Sequence, residues 1–169
     1  MKTKLSLWQL AGFIFTGVAG SLLHFAYNWS NQSLFFAPFS AVNESVWEHL
    51  KLLFVPMFVF ALIENVFLGH TYENFWCVKL LGILLGILLI PILYYSYTGV
   101  FGINLDWINI TIFFLAGLLA FLLELFLFPR LNCKVVCTLW SLFFLCVLAL
   151  VFVIFTFMPP NIPLFEVPK

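Results

Sequence analysis

The chain predicts an all-α integral membrane bundle of about five transmembrane helices, with its N-terminus inside and its C-terminus outside. Three observations predict it. Of 169 residues, 64% are hydrophobic and only 8% charged, whereas a soluble domain carries about 25% charged residues. Apolar runs of the length that crosses hydrocarbon, about 20 residues for roughly 30 Å, recur five times. All six tryptophans stand at or near an end of one of these runs, where amphipathic rings settle at headgroup depth. So many spans use up the length and leave one transmembrane domain, 1–169, with no soluble module beside it. Net charge is zero and the basic residues are scattered, which gives no footprint for nucleic acid. The partner this composition implies is the lipid bilayer, with room for a membrane-protein partner or a homo-oligomer.

The first span, 8–29, follows Lys2 and Lys4. It is long and lacks an A-x-A cleavage site, so it reads as a retained helix rather than a signal peptide. The second, 47–68, contains Pro56, and the third, 76–97, contains Pro91; each proline removes a helical hydrogen bond and predicts a kink. Gly17 and Ser21, Gly82 and Gly86, and Ala116 and Ala120 in the fourth span, 107–128, are small pairs four residues apart, a spacing that lets helix backbones approach in lipid. The fifth span is 135–157. The tail 158–169, "MPPNIPLFEVPK", is too rich in proline for a long helix and is expected to lie across the outer ends of the bundle. Short connections predict that consecutive helices pack as antiparallel neighbours.

Orientation follows from the basic residues. Lys2, Lys4, Lys79, Arg130 and Lys134 fall on one side and Lys51 and Lys169 on the other, and cytoplasmic loops carry the excess. A multi-pass plasma-membrane protein is expected. Cys77, Cys133 and Cys137 then face a reducing compartment. With no C-x-x-C spacing, these three and Cys146 are expected to be packing residues or free thiols, Cys133 and Cys137 sharing a helix face.

Against this background a few polar residues stand out, because an ionisable group in hydrocarbon costs about 2.5–3.5 kcal/mol and needs a partner. Glu64 lies 17 residues after Trp47 and Glu124 17 after Trp107, about 26 Å along either helix, so the two share a depth near the inner face. They could carry a proton or cation, or each could pair with Lys79. His24 lies inside the outer part of the first span. The segment "VNESVWEHLK", 42–51, opens the second. In it Asn43 and Ser45 are good N-cap residues, Ser45-x-x-Glu48 matches a capping box, and Glu48 can bridge to Lys51. Every polar residue there has a structural use except His49. The functional alternative gathers His24, Glu44, Glu48 and His49, with Asp106 nearby, as metal ligands or as an acid and base. Carboxylate and imidazole suit zinc or another divalent metal.

The run Asn43-Glu44-Ser45-x-Trp47-Glu48-His49-x-Lys51, with Leu23-His24-Phe25 before it and Pro56 after, resembles an uncharacterised family of small multi-spanning membrane proteins from Gram-positive bacteria. The resemblance extends over most of the chain and implies a bacterial plasma membrane and five spans, but no activity. Three functions are open at this point. The missing hydrolase motifs favour a non-enzymatic accessory, scaffold or transporter component. A metal-dependent hydrolase at the outer leaflet would use His24, Glu44, Glu48 and His49. A proton- or cation-coupled carrier would use Glu64 and Glu124.

Overall fold

A computed structural model describes residues 2–168; Lys169 and the side chain of Lys2, both counted in the charge asymmetry, lie outside it. Among the described residues there are five long helices and no strand: α1 Lys2–Trp29, α2 Val46–Leu68, α3 Phe75–Phe101, α4 Asp106–Leu127 and α5 Val135–Phe157. All five are long and apolar enough to cross a membrane. A single 3-10 turn, Pro163–Phe165, interrupts an otherwise extended tail. α1 begins earlier than its apolar run suggests, and α3 continues to Phe101. Gly102 ends α3 in the left-handed region, φ 67°, with its N–H on the Thr98 carbonyl, a position where glycine carries no Cβ penalty. α1 is closed by Asn31 and Gln32, also left-handed. Pro56 and Pro91 sit within uninterrupted helices.

α1, α2, α3 and α4 form a ring in which each helix touches the next and α4 closes against α1. α5 lies outside the ring, chiefly on α3 and secondarily on α2. The expected pairing of consecutive helices therefore changes at the last connection. The reason lies in the turn before α5. Asn74 Nδ2, at the start of α3, donates to the carbonyls of Phe128 (3.1 Å) and Leu131 (2.6 Å), drawing that turn over α3. A disulfide joins Cys77 to Cys133 at the same place. This corrects the expectation of four unpaired cysteines; Cys137 and Cys146 alone are free. The bond links a helix start to a loop 56 residues away, a proximity made by α3 packing on α5 and invisible to spacing rules. Cys133 precedes α5, so it shares no helix face with Cys137.

The small residues act where helices approach most closely. A Cβ on Gly86 would lie 2.7 Å from Leu53 and 3.4 Å from Ala120, and Ala116 and Ala120 are fully buried. Two tryptophans depart from the belt. Trp47 and Trp76 are buried, Trp47 stacking on Phe165 of the tail at 4.7 Å and meeting Phe152 of α5 in a tilted contact at 4.6 Å. Trp29, Trp107 and Trp140 remain exposed as headgroup anchors would be.

Candidate metal centre

Two polar clusters occupy opposite ends of the ring. At the end where α2 finishes and α3 starts, the Lys79 ammonium lies between the carboxylates of Glu64 and Glu124, 2.6 Å from Glu124 Oε2. The sequence expectation that Lys79 serves these glutamates is met for both at once. Gln9 of α1, which depth counting overlooked, donates to Glu64 Oε1 at 2.8 Å; its only signal was an amide inside an apolar run. All four side chains are almost fully buried. The rings of Phe75, Phe121 and Phe128 surround the ammonium at 5.5–5.7 Å. Gly82 makes room, since a Cβ there would meet Glu124 at 2.5 Å.

The other end is open. Gly20 lets α1 approach α2 so closely that a Cβ would lie 2.6 Å from the Leu52 carbonyl. One turn further, His24 faces His49, ring centroids 5.5 Å apart. Between them reaches Glu44, from the loop before α2, its Oε1 3.8 Å from His24 Nε2 and its Oε2 3.6 Å from His49 Nε2. The donor atoms of the three all lie within 4.8 Å of one another.

The rest of the opening motif fixes this triad. Ser45 caps α2, its Oγ accepting from the Glu48 N–H (3.4 Å), while Asn43 Oδ1 accepts from the Ser45 N–H (2.9 Å). Glu48 does not reach back to the Ser45 amide as a full capping box would. Its Oε2 takes the Val42 N–H (2.8 Å) and the Lys51 ammonium (2.7 Å). Lys51 in turn donates to the Ala37 carbonyl (2.9 Å) and to Thr156 Oγ1 of α5 (2.8 Å). Glu48 and Lys51 are buried, so Glu48 is a brace for the loop rather than a member of the histidine cluster. That corrects its inclusion among the candidate ligands. Glu44, four residues earlier and with a side chain 64% exposed, is the carboxylate that turns to the two histidines.

His49 Nδ1 lies 2.8 Å from the Ser45 carbonyl. A carbonyl only accepts, so Nδ1 carries a proton, and Nε2 faces Glu44 and His24. Histidines that bind metals are oriented in this way. A tetrahedral ion with bonds of about 2.0–2.1 Å sets its donors about 3.4 Å apart, slightly less than the 3.6 and 3.8 Å found here. These separations are too long for hydrogen bonds; they involve different oxygens of Glu44, and with one donor from each residue the three lie within 4.8 Å, so an ion would draw them closer together. His24 and His49 are about a third exposed on their side chains, and the three open on a cavity of about 670 Å³. Its rim also carries Asp106, Asn104 and Asn109, and its walls Leu52, Ile90 and Phe113. Tyr97 steadies the rim, its hydroxyl donating to Asn109 Oδ1 (2.5 Å) and accepting from the Leu105 N–H (3.3 Å).

A family of unknown function, DUF6512, matches residues 1–168. The chain belongs to that family. No curated protein and no solved structure matches it. Family membership accounts for the whole chain, both clusters included, and brings no activity with it.

Proposed function

We propose that this DUF6512 protein is a multi-pass protein of the bacterial plasma membrane that holds one divalent transition metal, zinc fitting best, between His24, Glu44 and His49 and uses it to hydrolyse a substrate at the outer membrane surface. The observation that carries the reading is the convergence of three ligand atoms from α1, the loop before α2 and α2 on the mouth of a cavity. Two imidazoles and a carboxylate leave a tetrahedral ion one open position, the arrangement of catalytic rather than structural zinc, and an ion so placed lowers the pKa of a bound water to about 7 and polarises a carbonyl. The chain's own groups supply the remainder. The Ser45 carbonyl holds His49 in the required tautomer. Asp106, on the same cavity, would supply a carboxylate to accept a proton, and Asn104 and Asn109, bonded to each other and to Tyr97, would give the rim a fixed polar edge.

An outward-facing mouth follows from the basic residues. Lys51 and Lys79 are buried in ion pairs and leave the count, and Lys2, Lys4, Arg130 and Lys134 lie toward the end of the bundle opposite the mouth. The carrier reading has less support. Lys79, Glu64 and Glu124 are closed in by aromatic rings, and neither of the two cavities described includes them.

Elemental analysis of protein purified without chelator tests the reading. One zinc per chain is expected, falling to background in His24→Ala, Glu44→Ala and His49→Ala but retained in His70→Ala at the other end of the bundle. Well-folded protein that binds no divalent ion under any loading condition would remove the centre and return the chain to an accessory or scaffold role.

A further inference from the structure

The cavity behind the histidines has a chemistry of its own. Its rim is polar, with His24, Glu44, His49 and Asp106, and its deeper lining apolar. The depth can be read from the helices. Leu52 is six residues into α2, Phe113 seven into α4 and Ile90 eleven before the end of α3; at 1.5 Å per residue these lie about 9 to 16 Å below the helix ends. Half of a 30 Å hydrocarbon layer is about 15 Å, so the cavity descends through about one leaflet. A volume of about 670 Å³ lies within the 300–1,000 Å³ of cavities that enclose a small ligand. A peptide placed there would leave its backbone amides unpaired against Leu52, Ile90 and Phe113, at a cost of several kcal/mol for each group. A hydrocarbon chain leaves nothing unpaired. Its polar end would stand at headgroup depth, against the three ligand side chains.

We infer that the cavity binds a membrane lipid from the leaflet at that end, one acyl chain lying between α1, α2, α3 and α4 and its ester carbonyl at His24, Glu44 and His49. This rests on the metal reading for what happens to the ester, and on the cavity alone for binding. Cleavage would consume one water: the acyl C–O bond breaks, the hydroxyl of water joins the acyl carbon, and the departing alkoxide takes the proton. The products are a fatty acid and the hydroxyl-bearing remainder of the lipid. The tail contributes Val167 and Pro168 to the cavity lining, held there through Phe165 on Trp47.

A photoactivatable phospholipid, with its reactive group midway along one acyl chain, tests the binding in vesicles containing the full-length protein. Labelling is expected on the cavity-facing residues of α1, α3 and α4. Ile110→Trp, which fills the cavity from a position that is itself exposed, is expected to lower that labelling about tenfold while leaving bound zinc unchanged. Should Ile110→Trp unfold the protein, Leu52→Phe narrows the same space from α2. Labelling confined to the lipid-facing surface of α5, or unaffected by either filled variant, would overturn the inference. So would cavity labelling by a hydrophobic peptide probe in preference to the lipid. Zinc without lipid labelling removes the lipid and leaves the metal centre; labelling without zinc keeps the lipid and removes the hydrolysis.

Discussion

The two ends of the ring use the same kinds of side chain to opposite effect. Near Lys79, two carboxylates and an ammonium are closed off from water by three phenylalanines. Near His24, a carboxylate and two imidazoles stay partly exposed above a cavity. Burial decides which cluster is structural. The sealed cluster is closed to a ligand even though Glu124 Oε1 and Gln9 Oε1 lack hydrogen-bond partners there, whereas the partly exposed donors, facing one another at 3.6–3.8 Å, are beyond hydrogen-bond distance and open to the cavity.

The largest effect expected is at the sealed end. Lys79→Met leaves two carboxylates buried without a counter-charge and should cost about 3–5 kcal/mol, seen as lost yield and a lowered melting temperature; adding Glu64→Gln and Glu124→Gln should restore most of it. If Lys79→Met melts like the parent, the sealed cluster is not what holds that end. Next comes Lys51→Met, which strands Glu48 and frees the loop from Ala37 and Thr156. A loss of about 3 kcal/mol is expected, with new protease cleavage in residues 30–45 and weaker zinc binding through displacement of Glu44. An intact loop in that variant would detach the brace from the site.

Smaller effects sharpen the contrast. Glu64→Gln alone should change stability by about 1 kcal/mol or less, because Glu124 still balances Lys79 and the amide still bonds to Gln9. A drop as large as that of Lys79→Met would show that both charges are needed. Smallest of all on the metal-free protein are His24→Ala and Glu44→Ala, within about 0.5–1 kcal/mol as for other partly exposed positions, although either abolishes the zinc-dependent rise in melting temperature. Last, the orientation can be read from the cysteines. The Cys77–Cys133 bond belongs in an oxidising compartment, whereas an outward mouth puts that end in the cytoplasm; a pair that alkylation in growing cells finds reduced keeps the mouth outside. A bridge already present in untreated cells would turn the bundle over.

Much of the fold was legible in the sequence because hydrocarbon imposes a length and an all-helical backbone on any span. Lys79 between Glu64 and Glu124 was legible for the same reason, depth being a linear function of residue number. What depth could not give was rotation about each helix axis. Glu44 and Glu48 have the same chemistry and nearly the same depth, and only the loop's path to Ala37 and Val42 decides that Glu48 turns to Lys51 and Glu44 to the histidines. Gln9 and the Cys77–Cys133 bond escaped for a related reason, since each joins elements more than fifty residues apart with no local pattern to announce the meeting.

The Lys51 ammonium also bears on how the chain is made. Its bond to Thr156 spans 105 positions, so while the polypeptide is emerging from the ribosome the first two helices can enter the bilayer with the segment carrying Glu44 held only by Ala37, Val42 and its own cap. The tie to the last crossing is added to these local bonds only when α5 arrives. A nascent chain stalled before that point would hold both histidines and Glu44 without the brace from the far end of the bundle, so the last crossing stiffens a site laid down by the first two.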